Sequence, residues 1–163
     1  QALYYLPLLT NANSDLKARL TGEAKFLRAF SYFILVRSFG GVPIVDHVPV
    51  AGNDADRAML LTRKTKEEVY SFIESDLDAA IAELPQKNAY PTSDIGRASK
   101  GAANALLAKV HLYQKNWQKV IDNCNLVTGY SLTPNFADIY KVSGENNAES
   151  IFEIQGKGGA SQP

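Results

Sequence analysis

A chain of 163 residues that is 45% hydrophobic and 21% charged has the length and balance of one soluble domain with a sizeable core. Its 17 basic and 17 acidic side chains cancel without any basic run, which argues against a nucleic-acid or polyanion partner. No stretch approaches the roughly 18 consecutive apolar residues of a transmembrane helix, and the single cysteine, Cys124, excludes an intramolecular disulfide and a cysteine metal cluster while leaving the redox compartment open.

The chain opens without Met on ALYYLPLL (Ala2 to Leu9), which reads as the tail of a helix and suggests a piece of a longer protein. The next helix leads into GEAKFLRAFSYFILVRSFGGVPIV, Gly22 to Val45, the most distinctive stretch of the sequence. With residues set about 100° apart, Leu16, Leu20, Ala24, Leu27, Ser31, Ile34, Leu35 and Ser38 form one stripe, and Phe26, Phe30 and Phe33 form a second beside it. Together they cover roughly 200° of the circumference, twice the apolar arc of a one-sided surface helix. Two neighbours are therefore expected, with Lys25, Arg28, Ala29 and Tyr32 left on the strip that faces water. Glu23 falls inside the apolar arc and needs a partner; Arg19, one turn earlier, is the local candidate. Gly40 and Gly41 supply positive φ at the helix end, and Pro43 pushes Val42 out of the helical region.

A loop of about twenty residues, Gly40 to Lys64, follows, longer than most connections in a compact domain and carrying the turn-prone Gly52-Asn53-Asp54. Thr65 with Glu68 forms a capping box for a second helix whose inner face is Val69, Ile73, Leu77, Ala80 and Leu84, and Pro85 ends it. After a polar loop from Gln86 to Arg97, Ser99 caps a third helix, Gly101 to Lys115, in which Gly101, Ala102, Ala103, Ala105 and Ala108 permit close approach of a neighbour. Asn116 opens a fourth helix with Trp117, Val120, Ile121, Cys124 and Val127 on one face, closed by Gly129. The turn between these two helices is short enough to make them antiparallel. Thr133-Pro134 starts a brief helical piece through Tyr140, and SIFEIQ, Ser150 to Gln155, alternates as a short strand. The fold class expected is thus mainly all-α, with antiparallel helix pairs, long loops and a short C-terminal strand.

The pair from Ala105 to Val127 has the rhythm of a degenerate tetratricopeptide repeat, with Ala108, Trp117 and Val120 close to its small, aromatic and small positions. Four blocks in order, GEAKFLRAFSYFILVRSFGGVPIV, RKTKEEVYSFIESDLDAAIAELP (Arg63 to Pro85), GRASKGAANALLAKVHLYQKNWQKVI (Gly96 to Ile121) and NAESIFEIQ (Asn147 to Gln155), closely resemble the SusD/RagB family of Bacteroidetes outer-membrane nutrient-binding lipoproteins. The resemblance covers about residues 14 to 155. It implies a tetratricopeptide-like core with helix pairs at about 14–85 and 98–128, and the start of a loop-rich region at about 129–163. Residues 1–163 would then form a single, incomplete SusD-like helical domain. It further implies capture of oligosaccharide or another nutrient at the cell surface and handover to a SusC-like TonB-dependent transporter. Nothing in positions 1 to 10 resembles the family's lipidated cysteine, so membrane attachment would run through a lipid anchor outside this stretch.

The residues themselves give no catalytic constellation, no metal ligand set and no cofactor loop. His47 and His111 lack HExxH or paired-His spacing, and Gly40-Gly41 follows a helix where a phosphate cradle precedes one. His111 occupies an aromatic packing position, and Glu67, Glu68, Glu74, Asp76 and Asp78 read as helix N-terminal charge and solvated face. Cys124 and Trp117 are expected in the core, and Tyr90, in a polar loop beside Asn88, is the aromatic expected to be exposed. No residue is assigned a glycan contact. The reading of a different class is a tetratricopeptide-like adaptor that binds proteins without ligand capture; the long excursion after Gly41 speaks against it, because a peptide-binding array uses short turns there.

Overall fold

The helix boundaries follow from capping side chains. Asn13 accepts the Leu16 N–H at 2.8 Å and starts the longest helix, while Thr65 and Glu68 exchange the two bonds of a capping box, at 3.2 and 2.8 Å. The computed structural model describes residues 1–155, and among them there are six α-helices and no strand. These are α1 (Ala2–Tyr5), α2 (Ser14–Phe39), α3 (Asp54–Leu61), α4 (Lys66–Glu83), α5 (Lys100–Tyr113) and α6 (Trp117–Asn125).

The core forms where α2, α4 and α5 meet. Phe26, Ala29, Phe33 and Val36 of α2 pack with Val69, Tyr70, Ile73, Leu77 and Ala80 of α4, and Ala102, Ala103, Leu106, Leu107 and Val110 of α5 close the cluster. The expected inner face of α4 is buried at every position. On α2 the two apolar stripes divide differently from expectation: Leu16, Leu27, Ile34 and Leu35 are exposed, whereas Ala29 and Tyr32, placed by periodicity on the water-facing strip, are buried. The small side chain of Ala29 lets α4 approach closely, and Tyr32 spends its hydroxyl on the loop beyond the helix. That hydroxyl accepts the Val45 N–H at 2.8 Å and lies 3.4 Å from the Pro43 carbonyl.

Gly40 ends α2 with φ +72° and returns its N–H to the Val36 carbonyl. Gly41 is needed for a different reason: a Cβ there would lie 2.0 Å from the Lys64 carbonyl oxygen. The chain leaves α2 and comes back to the same point. Lys64 donates its N–H to the Val42 carbonyl at 3.1 Å, and the Arg63 guanidinium donates to the Phe39 and Gly41 carbonyls, placing a cation at the negative end of α2. The expected structureless loop is therefore an excursion closed at its base, and it contains α3, whose cap Asn53 accepts the Ala55 and Asp56 N–H groups. Gln86 to Ser99 is closed likewise, by a 2.8 Å bond from Lys100 N–H to the Pro85 carbonyl.

α5 and α6 form the expected helix-turn-helix, with Lys115 at φ 63° in the turn. Asn116 stands at the N-cap of α6 but makes no capping bond through its side chain. No residue of α6 is fully buried: Trp117 is 59% exposed and Cys124 is exposed, contrary to the expectation that both pack in the core. On the apolar face of α6, Trp117, Ile121 and Cys124 are exposed and Val120 is half-buried, as is Val127 just beyond the helix.

Thr133 is held by the Glu149 carboxylate, and the helical piece after it is a 3₁₀ turn, Phe136–Tyr140, capped by Asn135. The stretch expected as a strand, Ser150 to Gln155, has no pairing partner among the described residues. Its alternation serves another end: Phe152 inserts edge-on against Phe26, with ring centroids 4.9 Å apart. Lys87 fastens the same segment by donating to the Asn147 and Ser150 carbonyls, both at 2.6 Å. Tyr130 shares a 2.9 Å hydrogen bond with Ser99 and lies over Gly101, where a Cβ would meet its hydroxyl at 2.5 Å.

Replacing Gly41 by Ala forces the loop base apart and is expected to cost about 1–3 kcal/mol in urea unfolding, as overpacking against backbone does. An unchanged midpoint would mean that the excursion is not closed at this contact.

Candidate functional site

A cleft of about 550 Å³ opens between α1, the middle of α2 and the first part of the excursion. Gln1 to Tyr4 form one wall, Ala24 and Arg28 the floor, and Val45 to Pro49 the other wall. Tyr4 and Tyr5 meet edge to face at 5.0 Å and both are exposed, so this end of the cleft offers aromatic surface to a ligand.

Arg28 is fixed before any ligand arrives. Its Nε and Nη2 donate to the two oxygens of Asp76 on α4, each at 2.7 Å, and its guanidinium lies 4.7 Å from the Phe72 ring centroid. The hydrogen bond to Asp76 raises the Arg28 pKa. Asp76 is buried, so it belongs to an interhelical ion pair and not to the solvated face where the acidic pattern of α4 placed it. The remaining nitrogen, Nη1, reaches the Asp46 carbonyl at 3.3 Å and links the helix pair to the cleft wall.

That wall is organised by His47. Its Nδ1 lies 2.6 Å from Asp46 Oδ1 and its Nε2 2.8 Å from Asp56 Oδ1 on α3, while Asp56 Oδ2 accepts the Val50 N–H at 2.7 Å. Hydrogen bonds to Asp56 and Asp46 raise the His47 pKa, and the bond from Val50 is the main cause of the lowered Asp56 value. With a carboxylate at each ring nitrogen, neither is available to take a proton from a nucleophile. Among the described residues, no group of three or more His, Cys, Asp and Glu side chains is placed to hold a metal ion. The arrangement suits recognition of hydroxyl-rich ligands, since the cleft presents the Asp46 carboxylate as acceptor, the Arg28 guanidinium as donor and the exposed Tyr4 ring.

A second polar network ties the Gln86–Ser99 loop to α2. Arg97 pairs with Glu23 at 2.8 Å and with Asp94 at 3.1 Å, and Arg19 pairs with Asp94 at 2.6 Å. The expected Arg19–Glu23 contact exists at 3.7 Å but is the longest of the set. Tyr90, expected on the surface, is buried here; its hydroxyl donates to the Ala98 carbonyl at 2.7 Å, and burial pushes its pKa up. His111 is buried on α5 as its packing position implied, 3.7 Å from Glu74, and desolvation lowers its pKa.

The structure thus removes Tyr90 as a ligand platform, exposes Trp117 far along the chain from the cleft, and gathers Tyr4, Arg28, Asp46 and His47, of which the sequence singled out only His47. Arg28 carried no signal beyond its place on the polar side of α2. In the sequence nothing marks Asp46 or Asp56 among the residues of the excursion; folding brings both to His47.

Helix pairs packed through small residues, with a closed excursion between the first two long helices, define a tetratricopeptide-like helical scaffold. The SusD-like family described as "Starch-binding associating with outer membrane" matches residues 1–112, and the chain belongs to this family. SusD-like protein P25 of Formosa agariphila is 32% identical over 138 residues, covering 83% of this chain and 25% of that protein. A SusD-like protein from Bacteroides fragilis NCTC 9343 superposes with a TM-score of 0.84 at 34% identity, over 96% of this chain and 31% of that one. A laminarin-binding SusD-like protein superposes with a TM-score of 0.80 at 32% identity, over 92% of this chain and 33% of its own. The chain therefore spans about a quarter to a third of the length of these relatives.

Replacing Arg28 by Met leaves the Asp76 carboxylate buried without its partner and is expected to cost about 3–5 kcal/mol in chemical denaturation. Removing both charges together, as Arg28→Met with Asp76→Leu, is expected to recover most of the loss. A single variant as stable as the parent would contradict the pairing.

Proposed function

We propose that the protein containing this chain captures oligosaccharide at the cell surface and hands it, uncleaved, to a SusC-like TonB-dependent transporter. Residues 1–163 contribute part of one SusD-like helical domain, with membrane attachment through a lipid anchor outside this stretch. The observation that carries the reading is the family match over residues 1–112, described by starch binding and outer-membrane association. The superposition on a laminarin-binding relative supports it. A cleft lined by the exposed Tyr4, the fixed Arg28 guanidinium and the Asp46 carboxylate supports glycan recognition, and the double occupation of His47 supports binding without chemistry. The adaptor reading draws on Trp117 and Ile121 of α6, which are exposed among the described residues and offer apolar surface to a protein partner.

Calorimetry of the full-length protein against a polysaccharide panel that includes starch and laminarin, with reducing ends assayed in parallel, decides between these. Saturable binding to at least one glycan with no new reducing ends is expected. Release of reducing ends, or no glycan binding together with micromolar affinity for an unrelated peptide, would overturn the proposal.

A further inference from the structure

We propose that the Asp46–His47–Asp56 cluster is a pH-sensitive latch that draws the cleft wall, together with Val50 just beyond it, onto α3 when the imidazole is protonated and slackens it when the imidazole is neutral. The latch itself does not depend on the glycan reading; only its consequence for ligand access does.

Three features of geometry support it. Both ring nitrogens lie within hydrogen-bond distance of a carboxylate, at 2.6 and 2.8 Å, a pattern that needs two N–H donors and therefore the imidazolium. One of these carboxylates, Asp46, sits next to His47 in the chain, while the other, Asp56, comes from α3 nine residues away, so the ring bridges two separate segments. Asp56 in turn accepts the Val50 N–H at 2.7 Å, which fastens the chain just beyond the wall to the same carboxylate. Loss of one proton leaves a single N–H for two carboxylates. One contact then sets a nitrogen lone pair against an anion and must open, and the other weakens from a charge-assisted to an ordinary hydrogen bond.

The surroundings leave His47 as the group that switches. Arg28 on α2 touches Asp46 only through its backbone carbonyl and is committed to Asp76. Lys64 and Glu68, which line the recess on the other side of His47, pair with each other at 3.6 Å. The segment across the cleft, Gln1 to Tyr4, carries no charged side chain and has Tyr4 as its one titratable one.

The direction of the pH effect is fixed by these partners. His47 has a folded pKa raised above its ordinary 6.5, so its contribution is complete below about pH 6.5 and is lost as pH rises through the folded value. Asp46 and Asp56 have pKa values lowered from 3.8, so their contribution stands above that value and is lost as pH falls through the folded ones. The latch is tightest between these limits. His111, the other histidine, has a lowered pKa from burial and gives stability of the opposite sign, present above about pH 6.5 and lost as pH falls through its folded value.

An NMR titration of the full-length protein containing this chain, with histidine and valine selectively labelled, reads His47, His111 and the Val50 amide. The expected result is a His47 midpoint above 6.5, a His111 midpoint below it, and a Val50 amide shift that follows the His47 midpoint. Asp56→Asn keeps an acceptor for Val50 but removes the charge; it is expected to bring the His47 midpoint down toward 6.5. In His47→Gln the pH dependence of the Val50 shift between pH 6 and 8 is expected to vanish. A parent His47 that titrates at or below 6.5, or a Val50 amide indifferent to His47, would overturn the latch, and both are read on the parent chain without any variant.

Discussion

The packing of α2 on α4 is the constraint on which the rest of this structure depends. Phe26, Ala29, Phe33 and Val36 meet Val69, Ile73, Leu77 and Ala80 in a face where most of the side chains are almost wholly removed from water, each large one contributing about 1.5–3 kcal/mol of burial. Gly22 lets the Leu84 side chain come within 3.0 Å of where its Cβ would stand, and the Arg28–Asp76 pair fixes the register of one helix on the other. This face also brings the end of α2 and the start of α4 together, so that Gly41 touches Lys64. A connection of a few residues would span that gap. The chain instead spends residues 42 to 63 on a closed excursion, and such a departure from the shortest path is where binding functions commonly reside.

Much of this was readable from local chemistry. The Thr65–Glu68 capping box, the stop before Pro85, the Ser99 cap and the inner face of α4 all act within one helix, and local signals suffice for them. Two decisions were not local. α2 carries apolar residues over more than half its circumference, and periodicity cannot say which stripe a partner will choose; the structure buries the phenylalanine side together with Ala29 and Tyr32 and leaves Leu27, Ile34 and Leu35 exposed. α6 likewise has a clear apolar face, yet its turn from α5 directs Trp117 and Ile121 outward. Among the described residues these side chains stay exposed, while Val120 of α6 and Val127 just beyond it are half-buried.

α3 has no buried apolar stripe to mark it, because its one buried residue is Asp56, a carboxylate held by His47 and Val50. By its alternation Phe152 reads as one tooth of a strand, whereas it is an aromatic wedge closing the phenylalanine cluster of α2. The cleft was the least legible feature, since Tyr4, Arg28, Asp46 and His47 come from three separate segments. Their convergence exists only once α2 and α4 have packed and the excursion has closed. Site and scaffold are linked in one direct way: Arg28 joins the buried Asp76 to the Asp46 carbonyl, so the core sets where the cleft wall begins.

Native-state hydrogen exchange of the 163-residue chain tests most directly whether the α2–α4 face is the organising unit. The account predicts that the central amides of α2 and α4, from Phe26 to Val36 and from Val69 to Ala80, exchange most slowly and with a common free energy of opening, while α6 opens at a much lower cost. Separate opening energies for α2 and α4, or protection of α6 equal to theirs, would contradict it.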